Sequence, residues 1–261
     1  MLIMTEQRDR LRTIAVAVTA VAQLCASPLT TLSIGPSSNT GAISDDNISP
    51  VTPAGYAFTI WGLIYLGCVA LAVYQLLPSQ RDREVHRRTG WWLAGAFSAS
   101  AIWVPIFGSR QLWLAQVVIL ALVGCLAVAA TRLTGKPPAT TSERVLLRLP
   151  VMIYFGWAVL ASAAGFGTTF RSLGLPESGT LVTAVSLILV AAATVASVII
   201  VLRLTAVAGF VFAACWALIA VAVGTYDGSV RLATIVALGA VLAAVIVRSL
   251  RTRRVGTVLL G

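Results

Sequence analysis

Residues 52–67 read TPAGYAFTIWGLIYLG. Within them Phe58, Trp61 and Tyr65 are spaced i, i+3 and i+7, which places three rings on one face of a helix. Gly55, Thr59 and Gly62 form a neighbouring stripe of small residues, the kind that lets another helix come close. Nothing in the stretch can be ionised. The chemistry open to such a set is that of surfaces: ring faces that stack on a flat apolar molecule, or on one another.

The remaining reactive residue types add little. The four cysteines, Cys25, Cys68, Cys125 and Cys215, each stand alone in an apolar run, without a C-x-x-C pair, and read as packing thiols rather than a disulfide framework or metal site. The single histidine, His86, sits in a basic segment with no second histidine near it. No G-x-x-x-x-G-K-[ST] loop is present, and no nucleophile stands beside a base, so ATP-driven and hydrolytic functions are excluded. The tryptophans divide. Trp91, Trp92 and Trp113 stand at the ends of apolar runs and read as an interfacial belt. Trp157 and Trp216 fall in mid-run, where an indole N–H needs a partner or a cavity.

These residues are carried on a chain that is 58% hydrophobic and 11% charged, with mean hydropathy +0.92. Soluble domains carry about 25% charged residues, so this is an all-α, polytopic membrane protein. About 20 apolar residues span a bilayer as a helix. Eight such segments can be read, at 13–34, 55–77, 89–107, 112–133, 146–168, 180–202, 206–223 and 230–247. The sixth and seventh are divided only by Arg203, Leu204 and Thr205, and the alternative is one kinked element and seven spans.

Charge supports eight. With both termini inside, all but Arg110, Arg171 and Arg231 of the 19 basic residues lie on the cytoplasmic side, Arg253 and Arg254 of the tail included. The net charge of +10 is therefore topological and implies no nucleic acid. The basic start and the CASP of the first segment resemble a signal peptide, but apolar character continues to Ile34, which reads as a retained span. Ionisable residues all fall in loops, tails or helix ends. Mid-membrane polarity is confined to Gln23, Gln116, Ser98, Ser100, Ser162 and similar hydroxyls, which disfavours an ion-coupled pump. The one long connection, 35–54, is polar, Gly/Ser/Pro-rich and outward-facing. It is either a solvated connector or a lid. Beneath it, at similar depth, fall Phe58, Trp61 and Tyr65, then Ser100 and Trp103 of the third span and Tyr154 and Trp157 of the fifth. Periodicity fits a ligand pocket or simple core packing equally.

At this point the chain resembles a known family. TPAGYAFTIWGLIYLG is similar to the second-helix motif of the TspO/translocator proteins, the tryptophan-rich sensory proteins, roughly P-P-G-W-V-F-G-P-V-W-T-x-L-Y. Pro53, Gly55, Phe58, Trp61 and Tyr65 match, and Tyr56 stands for Trp. LPVMIYFGWAVLAS, 149–162, resembles the fifth-helix motif through Pro150 and Ala158, with Tyr154 standing for Trp and Trp157 for Phe; Trp103 stands where a third-helix Trp is expected. The interval from Phe58 to Trp61 is one residue shorter than the family's, Ala54 replaces the second proline, and Ser162 replaces an Asn.

The resemblance covers about residues 10–170. It implies a five-helix bundle over 1–175, followed by a three-helix extension with a basic tail over 176–261. It implies a membrane receptor, in a bacterial inner membrane, that binds a porphyrin, haem or similar apolar molecule in a pocket lined by Tyr56, Phe58, Trp61, Tyr65, Trp103, Tyr154 and Trp157. No cofactor is obligatory and no metal is expected. Family members often dimerise, and Gly239/Ala243 and Ala240/Ala244 offer small-residue faces for that or for internal packing. The alternatives are a facilitative transporter for a small hydrophobic solute, and light-driven breakdown of the bound pigment.

Overall fold

Inside a bilayer no water is available to the backbone, so a spanning segment must satisfy its own N–H and C=O groups, and the helix does this within one segment. The computed structural model describes residues 2–252 and 255–261. Met1 and the tail residues Arg253 and Arg254 lie outside the described residues. The described chain is helical throughout: α1 Leu2–Ile34, α2 Thr40–Asp46, α3 Ile60–Leu76, α4 Pro78–Arg81, α5 Glu84–Gly108, α6 Leu112–Leu133, α7 Thr141–Glu143, α8 Leu149–Ser172, α9 Thr180–Arg203, α10 Ala208–Gly224, α11 Gly228–Thr252 and α12 Val255–Leu260. A 3-10 turn, Gly55–Thr59, leads into α3, and a π turn, Arg144–Arg148, leads into α8.

Seven of these helical stretches are long and apolar enough to cross a membrane, and α10 is a shorter apolar helix of 17 residues. The chain does break between the sixth and seventh expected segments. Leu204 is extended and Ala206 takes the left-handed φ of 58°. Arg248 donates to the carbonyls of Val201 and Leu204 there, and at the far end of α10 Arg231 donates to those of Ala222 and Thr225.

Helices α1, α3, α5, α6 and α8 pack on one another, and α9, α10 and α11 form a second group docked on α8 through α10 and α9. Helix α8 is central: 72% of its apolar window is buried, against 28–44% for the others. Apolar side chains such as Leu32, Leu66 and Ile188 point outward, as a lipid-facing surface requires. Arginines gather at one end, where Arg87 pairs with Asp9, Arg12 donates to the Arg81 carbonyl and Arg83 pairs with Glu143. Arg110, Arg171 and Arg231 lie at the other end, with the 35–54 connection.

Two glycines set the α8–α10 crossing. A Cβ on Gly156 would lie 2.6 Å from the Phe210 carbonyl oxygen, and one on Gly209 would lie 2.7 Å from the Leu149 carbonyl oxygen. Backbone thus touches backbone. The stripe expected on the second span does not do this: a Cβ on Gly55 or Gly62 would meet nothing within 4 Å. Gly239 and Ala243 likewise face outward, while Ala244 is buried. The start of α11 is capped by Asp227, which accepts from the Ser229 and Val230 amides at 2.8 and 3.1 Å and from the Thr183 hydroxyl. The Thr183 hydroxyl foremost, with those amides, holds its carboxyl below the ordinary carboxylate range.

Gly156→Ala and Gly209→Ala should each destabilise the purified protein by about 1–3 kcal/mol, the usual cost of overpacking against atoms that cannot move. Gly239→Ala, in open space on a helix, should not lower stability. Thermal unfolding in detergent distinguishes the two classes.

Candidate ligand-binding site

The 35–54 connection is more ordered than its composition implies. Asn39 caps α2, its side-chain oxygen accepting from the Ala42 amide at 2.9 Å. Ile43 is wholly buried and seats α2 on the bundle, and exposed Asp46 pairs with Arg110, which takes the left-handed φ of 61° at the α5–α6 turn. The connection thus carries a short helix lying over the aromatic residues.

Pro53 lies outside any helix. Ala54 precedes a 3-10 turn, and α3 begins only at Ile60. That turn bears on the shortened interval from Phe58 to Trp61. A 3-10 turn has three residues, so positions three apart lie one above the other. Both rings accordingly reach Trp157, at centroid distances of 6.3 Å for Phe58 and 6.0 Å for Trp61.

Trp61 is the hub. It stacks on Trp103 at 5.7 Å and on Tyr65 at 5.4 Å, and meets Tyr154 and Trp157 edge-on, each at 6.0 Å. Six of the seven expected site residues are therefore brought together from α3, its entry turn, α5 and α8. Tyr56 is not among them. It is exposed and packs edge-on against Trp216 at 5.3 Å, on the α10 side. Trp216, the other mid-run tryptophan, donates its indole N–H to the Ala57 carbonyl at 3.1 Å. The Ala54 amide donates to the Ala220 carbonyl at 2.9 Å. Helix α10 thus holds the entry turn in place from outside the five-helix group.

Several contributors escaped the sequence reading. Phe107 stacks on Trp103 at 4.8 Å and Phe97 on Tyr154 at 6.3 Å. Both are ordinary apolar residues of a spanning helix and carry no signal of their own. Gln23 did carry one, being polar in mid-span: it is fully buried and accepts the Tyr154 hydroxyl at 3.3 Å. Ser100 is fully buried beside Tyr65 and Tyr154. Ser162 turns back to the Ala158 carbonyl of its own helix at 2.7 Å, and Gln116 donates to the Ser162 carbonyl at 3.1 Å, tying α6 to α8.

Between α2 and the rings lies a cavity of about 40 Å3, bordered by Thr40, Ser44, Phe58, Trp61, Trp103 and Trp157. A second, of about 30 Å3, lies on the other side of Trp157, toward Ala217 and Thr234. Trp157 is 2% exposed and its indole N–H has no partner among the described residues. A buried donor left unpaired costs about 1–3 kcal/mol, so this group has something to gain from an acceptor. Among the described residues no carboxylate or imidazole borders the cavity beneath α2, and the Cys68 thiol and Ser100 hydroxyl are buried beside Tyr65 and Tyr154. His86 lies elsewhere, against Tyr74 at 5.5 Å, and no group of three or more His, Cys, Asp or Glu able to hold a metal occurs among the described residues. The arrangement can bind by ring faces and one N–H.

Trp216→Phe keeps the ring contact with Tyr56 but removes the bond to Ala57. It should lower stability by about 1 kcal/mol, read as a lower unfolding midpoint in detergent.

A family model described as TSPO-like protein matches residues 13–249. The match continues through α9, α10 and most of α11, beyond the helices whose motifs carry the resemblance. No curated protein and no solved structure matches the chain significantly.

Proposed function

The chain belongs to the TSPO-like protein family, and from that membership and the ring cluster we propose that it is an integral membrane receptor for a tetrapyrrole or similar flat apolar molecule. The observation that carries this reading is the Trp61-centred set of stacked and edge-on rings, closed over by α2 and edged by the unpaired N–H of Trp157. Ring faces offer a macrocycle dispersion and quadrupole contacts, and the indole offers its polar periphery one donor. Binding pockets for such ligands run to about 300–1,000 Å3, far above the roughly 40 Å3 beneath α2. Entry therefore requires α2 to lift and the rings to part. The restraint on α2 includes the exposed Arg110–Asp46 pair, a contact worth about 0–1 kcal/mol, so lifting it is inexpensive at that point.

No imidazole reaches the rings, His86 packing on Tyr74 instead, so a haem bound there would not be held through a histidine. Transport is the weaker reading. Below the rings the fully buried Tyr154–Gln23 pair and Phe97 close the core, which supports holding a ligand over passing one. In this reading the arginine-rich end faces the cytoplasm of a bacterial inner membrane, and the site opens toward the opposite face.

Titration of the purified protein with protoporphyrin should quench tryptophan fluorescence saturably. Trp61→Phe combined with Trp157→Phe should weaken binding at least tenfold, followed by the rise of the pigment's absorption shift. Tyr56→Ala, outside the cluster, should leave affinity unchanged; equal losses in both variants would show that the rings are not the site.

A further inference from the structure

At the arginine-rich end, far along the bundle from the ring cluster, α5, α6 and the segment from Pro137 to Arg148 enclose a crevice of about 250 Å3. Five cationic side chains line it, those of Arg83, Arg88, Arg132, Lys136 and Arg148, against two carboxylates, Glu84 and Glu143.

The carboxylates are already committed. Glu143, buried, accepts from Arg83 at 2.7 Å, from Arg148 at 3.0 and 3.2 Å, and from the Ala139 amide at 3.2 Å. Arg148, equally buried, spends its remaining donors on the carbonyls of Leu133 and Lys136. These two residues are the fixed floor of the crevice. Glu84 takes both its bonds from Lys136, at 2.9 Å each.

That leaves two guanidinium groups on the wall. Arg88 comes no nearer to Glu84 than 4.0 Å. Arg132 donates once, to the Arg88 carbonyl at 2.7 Å, and lies 5.1 Å over the Trp92 ring, which fixes its plane. Neither makes a hydrogen bond to a carboxylate among the described residues. A planar guanidinium fork matches the oxygens of a phosphate. Two forks and an excess of three positive charges in one concave space make an oxyanion site. Its depth specifies the source. Trp91, exposed, and Trp92 follow Arg88 by one turn on α5, at the level where aromatic residues meet lipid headgroups. Basic pockets between membrane helices bind anionic headgroups.

We propose that the crevice bordered by Arg88 and Arg132 binds the phosphate of an anionic phospholipid headgroup. This rests on a different end of the molecule from the ring cluster and stands independently of any pigment bound there.

The test is native mass spectrometry of the purified chain in detergent with added phosphatidylglycerol, phosphatidylcholine or inorganic phosphate. Phosphatidylglycerol should be retained at least tenfold more tightly than phosphatidylcholine, and the preference should shrink as ionic strength rises. Arg88→Gln with Arg132→Gln should abolish the preference, whereas Arg8→Gln with Arg251→Gln, which removes the same charge from exposed positions, should keep it. Arg88→Lys with Arg132→Lys preserves charge and, if the neutral pair fails to fold, serves in its place: it should keep the preference, which charge sets, but hold phosphatidylglycerol several-fold more weakly, because the forks are gone. Equal retention of the two lipids by the unaltered chain, full preference in the neutral pair, or unchanged retention of phosphatidylglycerol in the lysine pair overturns the proposal. Displacement of the lipid by equimolar inorganic phosphate overturns the assignment to a headgroup.

Discussion

Where α8 crosses α10, main chain rests on main chain, and the ring-bearing end of the molecule depends on that contact. Gly156 and Gly209 leave no room for even a methyl group. The crossing brings α10 close enough for Trp216 to hold the Ala57 carbonyl and for the Ala220 carbonyl to take the Ala54 amide. Those two bonds seat the 3-10 turn ahead of α3, and the turn aims Phe58 and Trp61 at Trp157, the neighbour of Gly156. The ring cluster belongs to the five-helix group by its residues, yet its geometry is set from the second group.

The cluster is apolar on its faces and polar beneath. Tyr154 joins the two layers, its ring edge-on to Trp61 and its hydroxyl on Gln23. A buried amide and hydroxyl that answer each other fix the height of α8 against α1, because either one alone would be left unpaired in a lipid-surrounded core. The rings above are thus held at a set depth. Among the described residues the Trp157 N–H is unpaired between two small cavities, and the Gln23 Nε2 and Ser100 Oγ are unpaired in the layer beneath.

Much of this was legible in the sequence, for identifiable reasons. Long apolar runs bounded by arginine give the helices to within about five residues at each end, apart from α1, which begins at Leu2 rather than 13, and the interruption at Arg203–Thr205 is real because Leu204 and Ala206 leave helical geometry. Convergence of Phe58, Trp61, Tyr65, Trp103, Tyr154 and Trp157 followed from spacing and depth. What sequence did not carry was contact across helices. Gly55 and Gly62 look like a packing stripe and face open space, while Gly156 and Gly209, each solitary among larger residues, make the close approach. Helix α2 was hidden because a single isoleucine among six polar or small residues shows no periodicity; what fixes it is the Asn39 cap and buried Ile43. Tyr56 sits beside the aromatic face in sequence, but a 3-10 turn rotates it toward Trp216 instead.

The shortness of α10 has a consequence for the surroundings. Seventeen residues rise about 26 Å at 1.5 Å per residue, some 4 Å less than the roughly 30 Å of a hydrocarbon core. Its C-terminal end is finished by a guanidinium on carbonyls, Arg231 of α11 on Ala222 and Thr225, so that end cannot extend by unwinding into lipid. Phe212, Ile219 and Val223 of this helix are exposed to the outside. Lipid tails against that face meet a hydrophobic wall lower than their own span and must compress locally, at a fraction of a kcal/mol per Å. Membrane thickness thereby acts on α10, the helix that braces the ring cluster, and a thicker bilayer presses on those rings without touching them.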